Sequence, residues 1–467
     1  MNNMKRILIK DLEKHIGEEV LINGWVDVRR DQGKLIFIDV RDVSGKVQAV
    51  ALPFNKEAHA VAEKVRSEWV LSIHGKVNAR PEKNVNKDEQ NGMLEVELLS
   101  IEVLNESVTP PFDIRGAGDD INEEIRLRYR YLDLRRPRLQ KNFRMRHEVE
   151  LFCRNFLSKE NFLEIETPIL TKSTPEGSRD YLVPSRINPG KFYALPQSPQ
   201  QYKQLLMASG FERYFQFARC MRDEDLRGDR QPEFTQLDME LSFVEQEDVM
   251  ELNERLLIAI VKELYPNKRI QQIPFPRLSY KEAMEKYNSD KPDIREDKND
   301  SDLLAFCWVV DFPFFEKTDE GGWTFTHNPF SAAKPEHREW LMNKEHIGDI
   351  LTTQYDIALN GFEIGGGSIR NHNPDALRRV LQIMGHSDEK IDQNFGHMLE
   401  AFSFGTPPHG GIAWGLDRLM AILQNEPNIR EVIAFAKNGE GRELMTESPS
   451  EVPVEQITEL GLRLIKP

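Results

Sequence analysis

The sequence predicts an α+β protein of more than one domain, on three observations. Five β-like runs crowd into the first 105 residues, with one amphipathic helix pattern after the third. Residues 220–241 then read as two apolar segments flanking a charged loop, as a hairpin does. Finally, 467 residues at 39% hydrophobic and 30% charged exceed one ordinary domain and supply the apolar surface of a large core.

A net charge of −15 argues against a general nucleic-acid binder, whose footprint is basic. Residues 126–146 depart from that background, with nine Arg or Lys against the single acid Asp133. A solvated basic linker or a phosphate-contacting hinge would both read this way. Cys153, Cys220 and Cys307 are far apart and form no Cys-x-x-Cys pair, which argues against a disulfide framework or structural zinc and predicts a reducing, cytoplasmic setting. The opening Met-Asn-Asn-Met-Lys-Arg-Ile-Leu-Ile-Lys lacks a signal peptide's apolar core, and the longest apolar run, Leu303 to Val310, is too short to span a bilayer.

The five runs cover 19–28, 35–43, 46–53, 69–79 and 93–104, and the helix pattern lies over 55–66. Ser44-Gly45 sits between the second and third runs as a hairpin turn would. This order matches the OB-fold, a partly open barrel that binds single-stranded nucleic acid. In the second run Ile36, Ile38 and Val40 share the inward face, leaving Phe37 outward with Asp39 and Arg41. Val47, Ala49 and Ala51 point inward on the third, which puts Gln48 beside Phe37. An exposed ring next to an amide can stack one base and hydrogen-bond another.

Pro110-Pro111 begins a linker. A helix pattern follows with Met145, Val149, Phe152 and Phe156 in one stripe, leading into the strand-like 162–170. Residues 174–180 read as a loop punctuated by Pro175 and Gly177. The next helix, 198–210, has Ser198 as N-cap, Pro199 at its first position, Gln201 completing a capping box and Gly210 at its end. Tyr202, Leu205 and Leu206 are its expected buried stripe, and Gln200 and Lys203 are surface neighbours.

In the charged loop, Arg222, Arg227 and Arg230 stand among Asp223, Glu224, Asp225 and Asp229. Carboxylates can fix guanidinium rotamers so that the forks meet phosphate oxygens; the alternative is a solvated hairpin tip. Phe234–Phe243 alternates at period two, as a half-buried strand does. Farther on, Asp356 and Glu363 precede Gly365, Gly366 and Gly367. Two carboxylates suit Mg²⁺, the glycines admit a ligand close to the backbone, and Arg370 suits a planar carboxylate. In Gly410–Leu423 a short strand enters a helix whose Leu416, Leu419, Met420 and Leu423 face the core, with Arg418 in the anion-favouring first turn.

The run from Arg222 to Gln236, with Met221 where Phe is usual, resembles motif 2 of the class II aminoacyl-tRNA synthetases in its bacterial aspartyl form. The helix and strand ending at Pro168 resemble motif 1, Gly410–Arg418 resembles motif 3, and Tyr129–Pro137 resembles the entry to the catalytic domain. Order and spacing agree along nearly the whole chain. The resemblance implies an OB-fold anticodon-binding domain at 1–105, a hinge at 106–140, a class II catalytic domain at 141–445 with an antiparallel sheet flanked by helices, and an extension at 446–467. It implies ATP-dependent activation of L-aspartate and transfer to tRNA-Asp, with ATP and Mg²⁺, by a cytoplasmic homodimer joined through motif 1.

By position in those motifs, Arg222, Arg418 and Glu363 are the catalytic residues. Glu176, Gln200, Lys203, Asp238, His327, Arg370 and again Arg222 are implied to hold aspartate. Asp223, Glu224, Gln231, Gly415, Leu416 and Asp417 join Arg222, Glu363 and Arg418 around ATP, and Asp356 with Glu363 would take Mg²⁺. Phe37, Gln48, Glu95 and Arg29 fall where the family reads the anticodon. Two departures stand out: the polar stretch 296–302 replaces the inserted domain usual in bacterial members, and Asn328 replaces the second His of the His-His-Pro-Phe motif.

Three other readings are weighed. An asparaginyl-tRNA synthetase shares the architecture, but Lys203 with Arg370 favours an anionic side chain. An RNA-binding paralogue without catalysis would have no need of Arg222, Glu363 and Arg418. An enzyme that also charges tRNA-Asn stays open, because Gln32 fits neither group's pattern while Lys83 resembles the discriminating form.

Overall fold

The computed structural model describes residues 4–173 and 177–465. It divides the chain into two compact units, Met1–Asp113 and Ile114–Pro467.

In the first unit, β1 (Glu19–Gln32), β2 (Leu35–Asp42), β3 (Gly45–Ala51), β4 (Val70–Ala79) and β5 (Leu94–Asn105) close into a barrel in the order β1-β2-β3-β5-β4, so it is not partly open. Helix α1 (Lys56–Lys64) follows the third strand. Ile36, Ile38, Val40, Val47, Ala49 and Ala51 are buried, as their alternation requires. β1 continues past residue 28 because Arg29 to Gln32 pair with Ile38 to Leu35 of β2; the partner strand, not apolar periodicity, sets its end. The second turn is Val43-Ser44, one residue early, where Asp42 Oδ1 accepts from Ser44 N at 2.7 Å.

The second unit is built on an eight-stranded sheet. Its strands are β6 (Leu163–Glu164), β7 (Arg213–Met221), β8 (Glu233–Ser242), β9 (Arg277–Ser279), β10 (Phe306–Val310), β11 (Gln354–Leu359), β12 (Phe362–Ile369) and β13 (His409–Gly415), in the order β9-β10-β11-β12-β13-β8-β7-β6. The six inner strands are antiparallel as expected, but the edge pairs β9–β10 and β6–β7 are parallel, making the sheet mixed. Helices α2 (Pro137–Lys159) and α4 (Gln246–Leu264) pack Val149, Leu157, Leu256 and Ile260 against Leu237, Met239 and Trp308. The expected α2 stripe is displaced: Val149 is buried with Leu139, Cys153 and Leu157, while Met145, Phe152 and Phe156 are only partly buried. Only Leu163–Glu164 of 162–170 pairs as a strand.

The segment 296–302 is a tight polar turn. Asp300 Oδ1 accepts from Asp302 N at 2.9 Å and Asp297 Oδ1 from Asn299 N at 2.9 Å. Both ends are tied to the segment 269–271: Glu296 N donates to Gln271 Oε1 at 2.9 Å, Arg269 N donates to Asp302 O at 2.9 Å, and Leu303–Leu304 beyond the turn pairs with Arg269–Ile270.

The basic run 126–146 is not a simple solvated linker, because Arg126, Arg130 and Arg136 are buried, while Arg128, Lys141 and Arg144 stay exposed. Asp133 is fully buried and is bonded by Arg126 Nε at 3.1 Å, Arg130 Nη1 at 2.9 Å and Arg136 Nε at 2.6 Å. Arg126 also reaches Glu431 at 2.7 Å, and Arg146 Nη1 reaches Asp417 at 2.5 Å. These guanidinium groups are internal struts, balanced by Asp133 within the run and by Glu431 and Asp417 far along the chain. Burial alone would raise the Asp133 carboxyl, but Arg126 and Arg136 hold it below the ordinary range. Its stabilisation is therefore present above the unfolded value of about 3.9 and lost as pH falls through the depressed folded value. Asp133→Asn should cost about 3 kcal/mol or more by stranding buried cations. Thermal unfolding at neutral pH checks this, and an unchanged midpoint would contradict it.

Candidate active site

On β8, Leu237, Met239 and Leu241 enter the apolar core while Gln236, Asp238 and Glu240 point the other way. The strand is thus buried on both faces rather than half-buried, because the polar face is roofed by α3 (Gln200–Ala208). Lys203 Nζ donates to Asp238 Oδ1 at 2.6 Å and lies 3.3 Å from Glu240 Oε2. Arg370, at the end of β12, donates Nε and Nη2 to the two Glu240 oxygens at 2.9 and 3.1 Å, and Nη1 to Ser368 at 2.9 Å. All four charged groups are at most 2% exposed. Burial would raise Glu240, but Arg370 and Lys203 lower it to about 2; burial keeps Asp238 above the ordinary range, and its Oδ2 has no hydrogen-bond partner among the described residues. Gly411 is forced by this cluster, since a Cβ there would lie 2.1 Å from Glu240 Oε2.

Helix α3 turns its faces opposite to expectation. Lys203, Gln204 and Met207 are buried, whereas Tyr202, Leu205 and Leu206 are only partly so, because the floor below is ionic. Ser198 Oγ accepts from Gln200 N at 3.3 Å, but the helix starts one residue later than expected and its cap position is Pro199. Gly210, at φ +85°, ends it with paired bonds from Gly210 N to Met207 O and Phe211 N to Leu206 O.

Gln200, Lys203, Asp238 and Arg370 line a cavity of about 420 Å³ that also holds Arg222, Glu224, Gln231, His327, Asp356, Glu363, Gly415, Asp417 and Arg418. Arg222 stacks over Phe234 at 5.1 Å, and its buried Nε has no hydrogen-bond partner among the described residues. Arg418 donates to Glu363 O and, at 3.1 Å, to Asp229. Glu224 accepts from Ser178 Oγ and from Arg230 at 3.3 Å, while the Asp223 backbone bridges to Arg179. Other expected contacts are engaged within the protein. Gln231 spends both ends of its amide on the Lys437 backbone, at 3.0 and 2.8 Å. Asp417 is bound by Arg146 and by Thr235 N at 2.9 Å, and Leu416 is buried in the core outside the cavity lining. Glu176 lies outside the described residues.

Asp356 and Glu363 sit on adjacent strands of the cavity, and a Cβ on Gly366 would approach Asp356 Oδ1 to 2.7 Å. Burial first, then Glu363, push the Asp356 carboxyl well above its ordinary range. A cation between them would offset that cost, and Mg²⁺ commonly takes one or two carboxylates plus substrate phosphates. Among the described residues no group of three or more His, Cys, Asp or Glu is gathered to hold a metal alone. His327 Nδ1 lies 3.6 Å from Asp356, and burial lowers its pKa. Asn328 does not face a ligand freely: its Oδ1 accepts from Phe330 N at 3.0 Å and its Nδ2 donates to Gln354 at 3.3 Å. Gln354 in turn donates to Asp356 at 2.6 Å.

On the barrel, Phe37 is half-buried rather than open, and faces Arg30 across the β1–β2 pair. Arg30, which sequence reasoning missed, donates to Asp39 at 2.9 Å and to Gln48 at 3.1 Å. Gln48 and Glu95 each precede the paired Ala49 and Val96. Arg29 is turned to the Ala62 carbonyl at 2.9 Å and to Asp31 at 3.0 Å. Also missed were Gln204, Glu240, Gln354 and His409; only Glu240 had a signal, lying two residues from Asp238 on one strand face.

Comparison with known proteins agrees with this architecture. The family described as tRNA synthetases class II (D, K and N) matches residues 122–439, and the OB-fold nucleic acid binding domain matches 20–104. Aspartate–tRNA ligases of Macrococcus caseolyticus and Lysinibacillus sphaericus are 40% and 41% identical, over 97% of this chain and 97% of each relative. The first alignment spans 579 positions against 467 residues here, so the relative carries sequence that this chain skips. An aspartate–tRNA(Asp/Asn) ligase of Thermoanaerobacter is 40% identical over 99% of both. Among solved structures, asparaginyl-tRNA synthetase of Pyrococcus horikoshii covers 92% of this chain and 98% of its own, with TM-score 0.75 at 22% identity. Aspartyl-tRNA synthetase of Entamoeba histolytica covers 93% and 92%, with TM-score 0.73 at 22% identity; both likenesses speak for the fold alone. An ionic floor, an arginine-bearing hairpin on the cavity, the two family matches and relatives 40% identical over nearly full length agree: the chain belongs to the class II tRNA synthetases of the D, K and N group, among the aspartate–tRNA ligases.

Proposed function

We propose that this cavity activates L-aspartate with ATP and passes the aspartyl group to tRNA-Asp. One observation carries the reading: Lys203, Asp238, Glu240 and Arg370 form one ionic cluster at one end of the cavity, and Arg222 and Arg418 stand at the other. Glu240 takes one edge of the Arg370 guanidinium, and an N–H on each terminal nitrogen remains for a substrate carboxylate. With Lys203 beside it, this end favours an anionic side chain over an amide. Asp238, with one oxygen unbonded, takes the α-ammonium together with Gln200 and His327, and the family's loop glutamate corresponds to Glu176.

The first step needs little proton transfer, so catalysis rests on positioning and charge stabilisation. An aspartate α-carboxylate oxygen bonds to the ATP α-phosphorus as the bond to pyrophosphate breaks. Arg222 stabilises charge gathering on the α-phosphate, and Arg418 holds the γ-phosphate. Glu224, Asp223 and the Gly415 backbone border the nucleotide. Asp356 and Glu363 would hold Mg²⁺, which when bound offsets charge on the phosphates. In the second step the terminal tRNA hydroxyl attacks the aspartyl carbonyl and AMP leaves.

The barrel face around Phe37, Gln48 and Glu95 reads the anticodon, with Phe37 as the stacking ring. The assembly is an isologous dimer through α2 and 163–170, where Leu151, Leu163, Ile169 and Leu170 are exposed, and it works in the cytoplasm.

Arg222→Ala should slow aspartate-dependent pyrophosphate exchange by about two orders of magnitude or more, the scale of losing one transition-state donor; near-normal exchange would sink that role. Arg370→Leu should abolish aspartate activation yet leave ATP binding intact, as equilibrium titration with each ligand would reveal. Purified tRNA-Asp and tRNA-Asn, offered side by side with labelled aspartate, test the whole reading. Charging of tRNA-Asp is expected, and charging of neither overturns the function. Comparable charging of both would place the protein with the Asp/Asn kind of ligase.

A further inference from the structure

Behind Gln200 runs a buried chain of hydrogen bonds that ends on a main-chain carbonyl. His409 Nδ1 lies 2.8 Å from Pro407 O, and a carbonyl can only accept, so that nitrogen carries the proton. His409 is fully buried, and burial lowers its pKa to about 4, so the ring is neutral and its Nε2 is a bare acceptor. Gln204, also fully buried, meets that Nε2 at 3.1 Å and must do so with its NH₂ group. Its Oε1 therefore faces the other way, where it accepts from Gln200 Nε2 at 3.0 Å. Each amide is fixed by the one before it. At the end, Gln200 turns its NH₂ group to Gln204, with one of the two N–H bonds made there, so its Oε1 faces the other way, without a hydrogen bond to the described residues, in a side chain that lines the cavity.

We infer that His409 and Gln204 are positioning residues whose bonds commit the Gln200 amide to present an acceptor, so that the site takes the substrate's ammonium at this point and refuses a carboxylate there. This rests on the reading of Gln200 as a ligand of the aspartate ammonium. It explains how one ionic cavity orients a substrate that has carboxylates at two places and an ammonium at one. Lys203 and Arg370 attract either carboxylate without distinguishing them, and a Gln200 free to rotate its amide could bond an ammonium or an anion equally. A tautomer fixed by Pro407 removes that ambiguity.

The test uses the full-length enzyme and two probes, L-aspartate and succinate, which has the same two carboxylates and no ammonium. Gln204→Met removes both relay bonds while keeping the volume. It should weaken L-aspartate by about tenfold, the worth of one committed hydrogen bond, with succinate and ATP affinities unchanged in calorimetric titration. Gln204→Glu keeps an oxygen toward Gln200 and should retain the preference for L-aspartate. An unchanged ratio of L-aspartate to succinate affinity in Gln204→Met overturns the relay. If that variant fails to bind succinate, Gln204→Glu decides: loss of the preference while succinate still binds overturns it. Gln200→Leu separates the two claims, because an unchanged ratio there overturns the ligand role of Gln200 itself, whereas a lowered ratio there with none in Gln204→Met overturns only the relay.

Discussion

The buried cluster of Lys203, Asp238, Glu240 and Arg370 governs the larger unit. Two cations and two carboxylates with at most 2% exposure cannot persist in a protein interior unless each finds its partner, since any single survivor would be left uncompensated. That requirement reaches outward through the fold. It turns the polar face of α3 inward, it excludes a side chain at Gly411, and it makes both faces of β8 buried, one apolar and one ionic. A bundle of pairings this costly to bury earns its place by what it can receive: the cluster closes on itself with one Asp238 oxygen and one edge of Arg370 left over.

A second knot, at Asp133, does for the architecture what the first does for the site. Its three guanidinium partners come from a run that in sequence reads as a solvated linker or a phosphate-contacting hinge, and Arg126 continues the network to Glu431. From Arg146 the helix α2, which begins right after Arg136, reaches Asp417, whose other oxygen holds the β8 backbone at Thr235, and Arg418 comes next in the chain. The helix that carries the first family motif is therefore tied by charge to the strand and the helix start that carry the other two.

Much of this was legible in the chain and some could not have been. The barrel followed from alternation at Ile36, Ile38, Val40, Val47 and Ala49, because one-sided burial writes a period of two into the residues. The far end of β1 and the parallel edges β6 and β9 did not, since strand pairing is a property of two distant segments. For α3, apolar periodicity pointed to Leu205 and Leu206, the wrong face, because an ionic floor inverts the usual rule. Arg222, Lys203, Arg370 and Arg418 were reachable through motifs. Gln204, Gln354 and His409 were not, because each acts on another side chain rather than standing in a recognisable pattern.

The turn at 296–302 has a consequence for how such chains vary. Both of its ends are fastened to one neighbouring segment, Glu296 N to Gln271 Oε1 at 2.9 Å and Asp302 O to Arg269 N at 2.9 Å, and its own polar side chains cap its own backbone. No strand of the eight-stranded sheet lies within these seven residues. The closure entropy of a loop grows slowly with its length, so a junction sealed at its base tolerates a short bridge or a folded module almost alike. The position is a modular port, where evolution can graft or excise a domain while the chemistry a few strands away goes on undisturbed.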